Sequence, residues 1–150
     1  MLRLNLPQYN IKVIEKKGKL YVYDIIRNGY FKLTPEEWVR QNFIHHLVFS
    51  KGYPKMLMGI EYSISYNNMT RRVDIVLFDV DSKPLLIVEC KSPLVEINEY
   101  ALKQVCIYNS IIKSKYIVIT NGLNHYTLFF DKGKEMFLED VPDYKSITIH

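Results

Sequence analysis

Residues 72–91 read RVDIVLFDVDSKPLLIVECK. Two apolar runs, 72–80 (RVDIVLFDV) and 85–90 (LLIVEC), flank the turn-forming stretch Asp81-Ser82-Lys83-Pro84, which predicts a β-hairpin. LLIVEC is apolar without alternation, as in a strand covered on both faces. Into these runs the chain places Asp74, Glu89 and, one step beyond, Lys91. Charges on core strands are costly unless they are paired or hold a metal. On an extended chain Glu89 and Lys91 point to the same face, and Cys90 to the opposite face, into the core. The hairpin would bring Asp74 beside Glu89. Two adjacent carboxylates repel and want a cation between them, and oxygen ligands of this kind suit magnesium or manganese. The alternative is structural: carboxylates on an edge strand paired with Arg72 and Lys91.

Outward from this stretch the chain reads as a mixed α/β domain. Residues 11–16 and 20–26 flank Lys17-Gly18-Lys19 as an N-terminal β-hairpin. Thr34-Pro35-Glu36-Glu37 starts a helix: Thr34 is the N-cap, Pro35 suits the first helical position, and Glu37 completes a capping box. This helix should run to about Ser50 and stop before Gly52-Tyr53-Pro54. A strand is expected at 60–66, a second helix from about Asn98 to Lys113, then strands at 116–120 and 125–130 around a turn at Asn121-Gly122. A short strand near 135–138 would close the sheet. No repeat, low-complexity tract or linker divides the 150 residues, so one domain is expected.

Asp74, fourteen intervening residues and Glu89-Cys90-Lys91 resemble the D…(D/E)xK core of PD-(D/E)XK nucleases, with Val73 where the literal motif has proline. Gln104 and Tyr108, four apart on one helix face, resemble the QxxxY motif of the RecB-like branch. Together with TPEEWVRQ, RRVDIV, ECKSP and YIVITNG they resemble the N-terminal nuclease domain of type I restriction enzyme R subunits, over roughly residues 30–130. The resemblance implies a restriction-endonuclease-like mixed sheet flanked by helices, and Mg²⁺ (or Mn²⁺) held by Asp74, Glu89 and the backbone carbonyl of Cys90. The ion would neutralise a scissile phosphate of DNA and acidify water. Lys91 would orient or activate that water, Glu36 would position it or Lys91, and Gln104 and Tyr108 would brace the site. Glu36 is favoured over Glu37 as the first-helix acid, because it shares a stripe with Val39, Phe43 and Leu47 while Glu37 has the capping role. Arg71, Arg72 and Lys103, with Lys91, Lys113 and Lys115, could line a nucleic-acid face. R subunits of this kind carry an ATP-driven motor. The sequence has no GxxxxGK[ST], so a separate motor or specificity subunit is the implied partner, and a homodimer is compatible with double-strand cutting. A non-cleaving nucleic-acid-binding or assembly module is the alternative.

Composition sets the outer bounds. Hydrophobic residues at 48% call for a packed core, and a net charge of +4 permits a polyanionic partner without requiring one. Cys90 and Cys106 lie in apolar stretches outside any CxxC cluster, which predicts buried thiols in a reducing compartment and no zinc. No apolar run approaches the ~20 residues of a membrane span, so the expectation is a soluble, cytoplasmic protein. His45 and His46, adjacent on a helix, are expected at surface and core edge, and His125 and His150 show no partner. Glu61 is placed either toward the site or in solvent. Thr120-Asn121-Gly122 reads as a turn.

Overall fold

The computed structural model describes residues 1–148; His150 lies outside the described residues. A three-stranded antiparallel sheet comes first: β1 (Val13–Lys16), β2 (Lys19–Asp24) and β3 (Gly29–Lys32). The expected hairpin thus gains a third strand. Asp24 Oδ1 accepts the backbone N–H groups of Ile26 (2.7 Å) and Arg27 (2.8 Å), ending β2 two residues earlier than its apolar pattern indicates. Asn28 at φ +54° then reverses the chain.

Helix α1 spans Pro35–His45, and Thr34 caps it by accepting the Glu37 N–H at 3.0 Å. The reciprocal half of the capping box is not made. Glu37 instead turns its carboxylate to two guanidinium groups, whose charge-assisted bonds outcompete one backbone N–H. The helical path continues to Ser50 as expected, but residues His46–Ser50 form a π-helical turn. His45 and His46 are both buried, because the N-terminal segment folds over the helix end and the Tyr9 hydroxyl bonds His46 Nδ1 at 2.8 Å.

The main sheet has six strands in the order β4 (Met58–Tyr66), β5 (Met69–Phe78), β6 (Pro84–Cys90), β7 (Tyr116–Thr120), β8 (His125–Asp131) and β9 (Lys134–Leu138). All neighbours are antiparallel except β6 and β7. That parallel pair requires a crossover, which α2 (Glu99–Ile112) supplies. Lys113 in the left-handed region ends α2, and the Asn109 side chain both donates to the Ser114 carbonyl and accepts its N–H, which aims the chain into β7. A short α3 (Tyr144–Thr148), not evident in the sequence, packs Tyr144 against Tyr53.

The two helices cover opposite faces of the sheet. On one side Val39, Phe43 and Leu47 of α1 meet Ile75, Leu77, Leu86 and Val88. On the other Val105 and Tyr108 of α2 meet Val76, Ile87, Ile117 and Ile119. This explains why LLIVEC lacks alternation: both faces of β6 are core. Each such fully buried aliphatic side chain contributes roughly 1.5–3 kcal/mol. Cys90 is buried as expected, whereas Cys106 is only half-buried, on the flank of α2. Among the described residues no helix is long and apolar enough to cross a membrane.

Candidate functional site

The β5–β6 ladder runs through Leu77↔Leu86, Val76↔Ile87 and Ile75↔Val88. The next pair in this register is Asp74 with Glu89, and there main-chain pairing stops. In its place Asp74 Oδ2 accepts the Cys90 N–H at 2.7 Å. Main-chain pairing thus ends at the two carboxylates. On the far side β7 still holds β6, since the Lys91 N–H donates to the Thr120 carbonyl at 2.8 Å. The Lys91 backbone is therefore fixed while its side chain is exposed.

Electrostatics place four of the expected site residues in one neighbourhood. Burial, and then Asp74, push the Glu89 carboxyl up to about 7, with Arg71, Tyr108 and Lys91 acting in the opposite sense. Burial and Asp74 also raise Glu36, against Arg40 and Lys91. Asp74 and Lys91 thus act on both glutamates. Glu36 is nonetheless half in solvent, with its side chain 49% exposed, and Glu37 is the buried acid of the first turn. Glu36 is thus exposed yet within the fields of Asp74, Arg40 and Lys91, whereas Glu37 is spent on the guanidinium groups.

On the α2 side the Tyr108 hydroxyl donates to Glu89 Oε1 at 3.2 Å, and the Arg71 guanidinium lies 4.1 Å from the centre of the Tyr108 ring. Gln104 joins Glu89, Lys91 and Arg71 in lining a cavity of about 310 Å³. Arg72 and Lys103, both exposed, are not among its lining residues. Arg72 points away from Arg71 because neighbours on a strand alternate.

Arg40 is the residue that motif reasoning missed. Its side chain is 6% exposed, and it donates to Asp74 Oδ1 (2.8 Å), Glu37 Oε1 (3.0 Å) and Glu61 Oε1 (3.3 Å). Although burial works against its charge, Glu37 and Asp74 hold it protonated. Glu61 reaches it because its own φ of +49° breaks the β4–β5 ladder between Ile60↔Ile75 and Tyr62↔Val73; such a conformation in a non-glycine strand residue is costly and persists only when its surroundings hold it. Arg27 extends the network, donating to Glu37 Oε1 (2.9 Å) and Asp24 Oδ2 (2.6 Å). The only sequence signal for this network is the i, i+3, i+4 spacing of Glu37, Arg40 and Gln41.

The donor set tests the fit of a divalent ion. The Asp74 and Glu89 carboxylates supply oxygen donors, and the neighbouring Cys90 thiol, which burial and Asp74 hold protonated, is no competitor to them, so the set suits a hard cation. Among the described residues no three His, Cys, Asp or Glu side chains converge on one point. The arrangement fits an ion bound through few protein ligands, such as magnesium, rather than one in a protein cage.

His125, without a visible partner in the sequence, bonds Thr120 Oγ1 (2.6 Å) and the Asn5 carbonyl (2.8 Å). The turn at Thr120-Asn121-Gly122 forms as expected, with Asn121 Oδ1 accepting from the backbones of Leu123 and Asn124.

Residues 35–142 match the family described as Type I restriction enzyme R protein N terminus (HSDR_N). Among solved structures, the chain is similar to a fragment from Vibrio vulnificus YJ016 described as an HsdR subunit of a type I restriction enzyme. The TM-score is 0.52 at 21% identity, over 77% of this chain and 25% of that one, so the likeness concerns the fold and this chain spans about a quarter of that one. No curated protein sequence gives a significant match.

Proposed function

Because the chain belongs to the family of type I restriction enzyme R protein N termini, we propose that it is a metal-dependent DNA endonuclease module of the PD-(D/E)XK type. Asp74 and Glu89 carry this reading. They sit where the main-chain pairing of β5 and β6 ends, Asp74 raises the cost of charging Glu89, and Lys91 lies within electrostatic reach. Asp74, Glu89 and the Cys90 carbonyl would hold Mg²⁺ or Mn²⁺, which when bound supplies charge neutralisation at the scissile phosphate and acidifies water. Tyr108 orients the Glu89 carboxylate through its hydroxyl. Lys91, on a fixed backbone, places an ammonium group where negative charge develops on the phosphate. Glu36 would position Lys91 or water, and Arg71 and Gln104 line the approach. A motor or specificity subunit, and a second copy of the chain, are the partners this role would call for.

One observation favours the second reading, a module that binds nucleic acid or assembles without cutting by itself. Both Asp74 oxygens are engaged, Oδ1 by Arg40 and Oδ2 by the Cys90 N–H. Metal entry on the Oδ1 side requires Arg40 to yield. Incubation with linear, supercoiled and single-stranded DNA plus Mg²⁺ or Mn²⁺ separates the two. The nuclease reading expects cleavage that Lys91→Ala abolishes; wild-type cleavage no greater than that of the variant counts against it.

A further inference from the structure

The N-terminal sheet lies before the segment that matches the family, and its two faces differ sharply in chemistry. The register pairs Ile14 with Tyr21, Lys16 with Lys19, Tyr21 with Lys32 and Tyr23 with Tyr30, and residues paired across a sheet share a face. The opposite face carries Val22, Phe31, Asp24 and Glu15, and meets α1 through the fully buried Val22 and Asp24. The outer face therefore holds Lys16, Lys19 and Lys32, joined by Lys12, whose Nζ lies 5.8 Å from the centre of the Tyr30 ring. No carboxylate stands on it: Glu15 and Asp24 both belong to the other side. An ordinary solvated face mixes both signs of charge.

Between the lysines lie three tyrosines. Tyr23 and Tyr30 meet edge to face with ring centres 5.2 Å apart, and Tyr30 is 38% exposed. Tyr21 and Tyr30 line a concavity of about 500 Å³ together with Lys16, Lys17 and Lys19. Aromatic rings on a sheet, interleaved with ammonium groups, are what unpaired bases and their phosphates require: rings stack on bases, lysines track the backbone. A duplex hides its base faces and would use only the lysines.

We infer that the outer face of the β1–β2–β3 sheet is a binding platform for single-stranded nucleic acid, separate from the carboxylate site. It is linked to that site by the ion-pair chain Asp24–Arg27–Glu37–Arg40–Asp74. Binding at the platform stands whether or not the carboxylate site cuts.

The test is fluorescence anisotropy with labelled oligo(dT) and a matched duplex, across a salt series in EDTA, so that cleavage plays no part. Wild type should prefer the single strand. The variant Lys12→Ala/Lys16→Ala/Lys19→Ala/Lys32→Ala alters only exposed side chains. It should weaken binding at least tenfold and lower the salt slope by about 2–3, near ~0.7 per lost phosphate contact. Tyr30→Ala should cost about tenfold for oligo(dT), the scale of one stacked base, while leaving the salt slope in place. Because binding is read in EDTA, a failed nuclease reading leaves these outcomes unchanged, and Lys134→Ala, an exposed lysine on β9 of the other sheet, should bind as wild type does. Unchanged affinity in the lysine variant overturns the proposal. So does a Tyr30→Ala variant that binds normally, which would leave a general polyanion surface, or a duplex bound as tightly as the single strand.

Discussion

Arg40 Nη2 stands 2.8 Å from Asp74 Oδ1, so a buried guanidinium already neutralises the carboxylate at the mouth of the candidate metal site. The same guanidinium contacts Glu37 and Glu61. Arg40→Ala leaves Asp74 without its guanidinium partner and Glu37 with Arg27 alone, and breaking a buried pair from one side typically costs about 3–5 kcal/mol. Urea unfolding should show a loss of this size. Millimolar Mg²⁺ should raise the melting temperature of the variant more than that of wild type, since a divalent ion can take the place of the guanidinium at Asp74. A variant as stable as wild type would mean the network carries no structural load.

Glu89 gives the opposite expectation. Its carboxyl is pushed up to about 7 in the folded chain, against an ordinary value of 4.5. A raised folded value means the fold gains from protonation: this contribution is fully present below about pH 4.5 and is lost as pH rises through about 7. Above pH 7 the charged Glu89 weighs against the metal-free fold. Glu89→Gln keeps the shape and the Tyr108 contact without the charge. It should stabilise the metal-free protein at pH 8 by on the order of 1–3 kcal/mol and by little at pH 4. Denaturant melts at the two pH values check this; equal effects at both would contradict it.

Asp24 behaves in the reverse sense. Burial alone would raise its carboxyl, but hydrogen bonds from Arg27, Gln41 and the Ile26 backbone outweigh burial and hold it below the ordinary 3.8. A depressed folded value gives stability that is present above about pH 4 and is lost as pH falls through the folded value. Asp24→Asn should destabilise the fold by roughly 2–4 kcal/mol at neutral pH, and its deficit against wild type should shrink below pH 4. An equally large deficit at pH 2 would rule out the ionic origin.

Gly122 tests the packing behind the strand that carries Thr120. Its φ is +85°, and a Cβ there would come within 2.7 Å of Leu4 Cδ2 and 3.1 Å of Val39. Gly122→Ala combines a disfavoured backbone with overpacking and should cost about 1–3 kcal/mol. A neutral effect in thermal melts would mean that the N-terminal segment docks more loosely than Leu4 indicates.

What was legible in the sequence was whatever local chemistry decides. Glu89 and Lys91 stood out because charges interrupt or end an apolar strand, and the Asp81–Pro84 turn put Glu89 near Asp74; the bulge between Leu77 and Phe78 that aligns the two has no local signal. Thr34 was readable as a cap because its partner is three residues away. Arg40 was not readable as the partner of Asp74, since 34 residues and a helix-to-sheet contact separate them. Nor was the full role of Glu37: local geometry offered it a cap and, three residues on, Arg40, while Arg27 comes from the N-terminal sheet. The third strand, Gly29–Lys32, and the five-residue α3 are too short to show a period, and each is held by contacts distant in sequence. Cys106 misled because the apolar stretch around it belongs to a helix with one flank in solvent.

The account depends on Asp74 and Glu89 sharing one divalent ion. Crystals soaked in Mn²⁺ and measured at the manganese edge test this directly. The expected result is a single anomalous peak within about 2.1 Å of one oxygen from each carboxylate, with Arg40 withdrawn from Asp74 Oδ1. Manganese bound elsewhere, or an Arg40–Asp74 pair left intact with no peak beside it, would contradict the assignment.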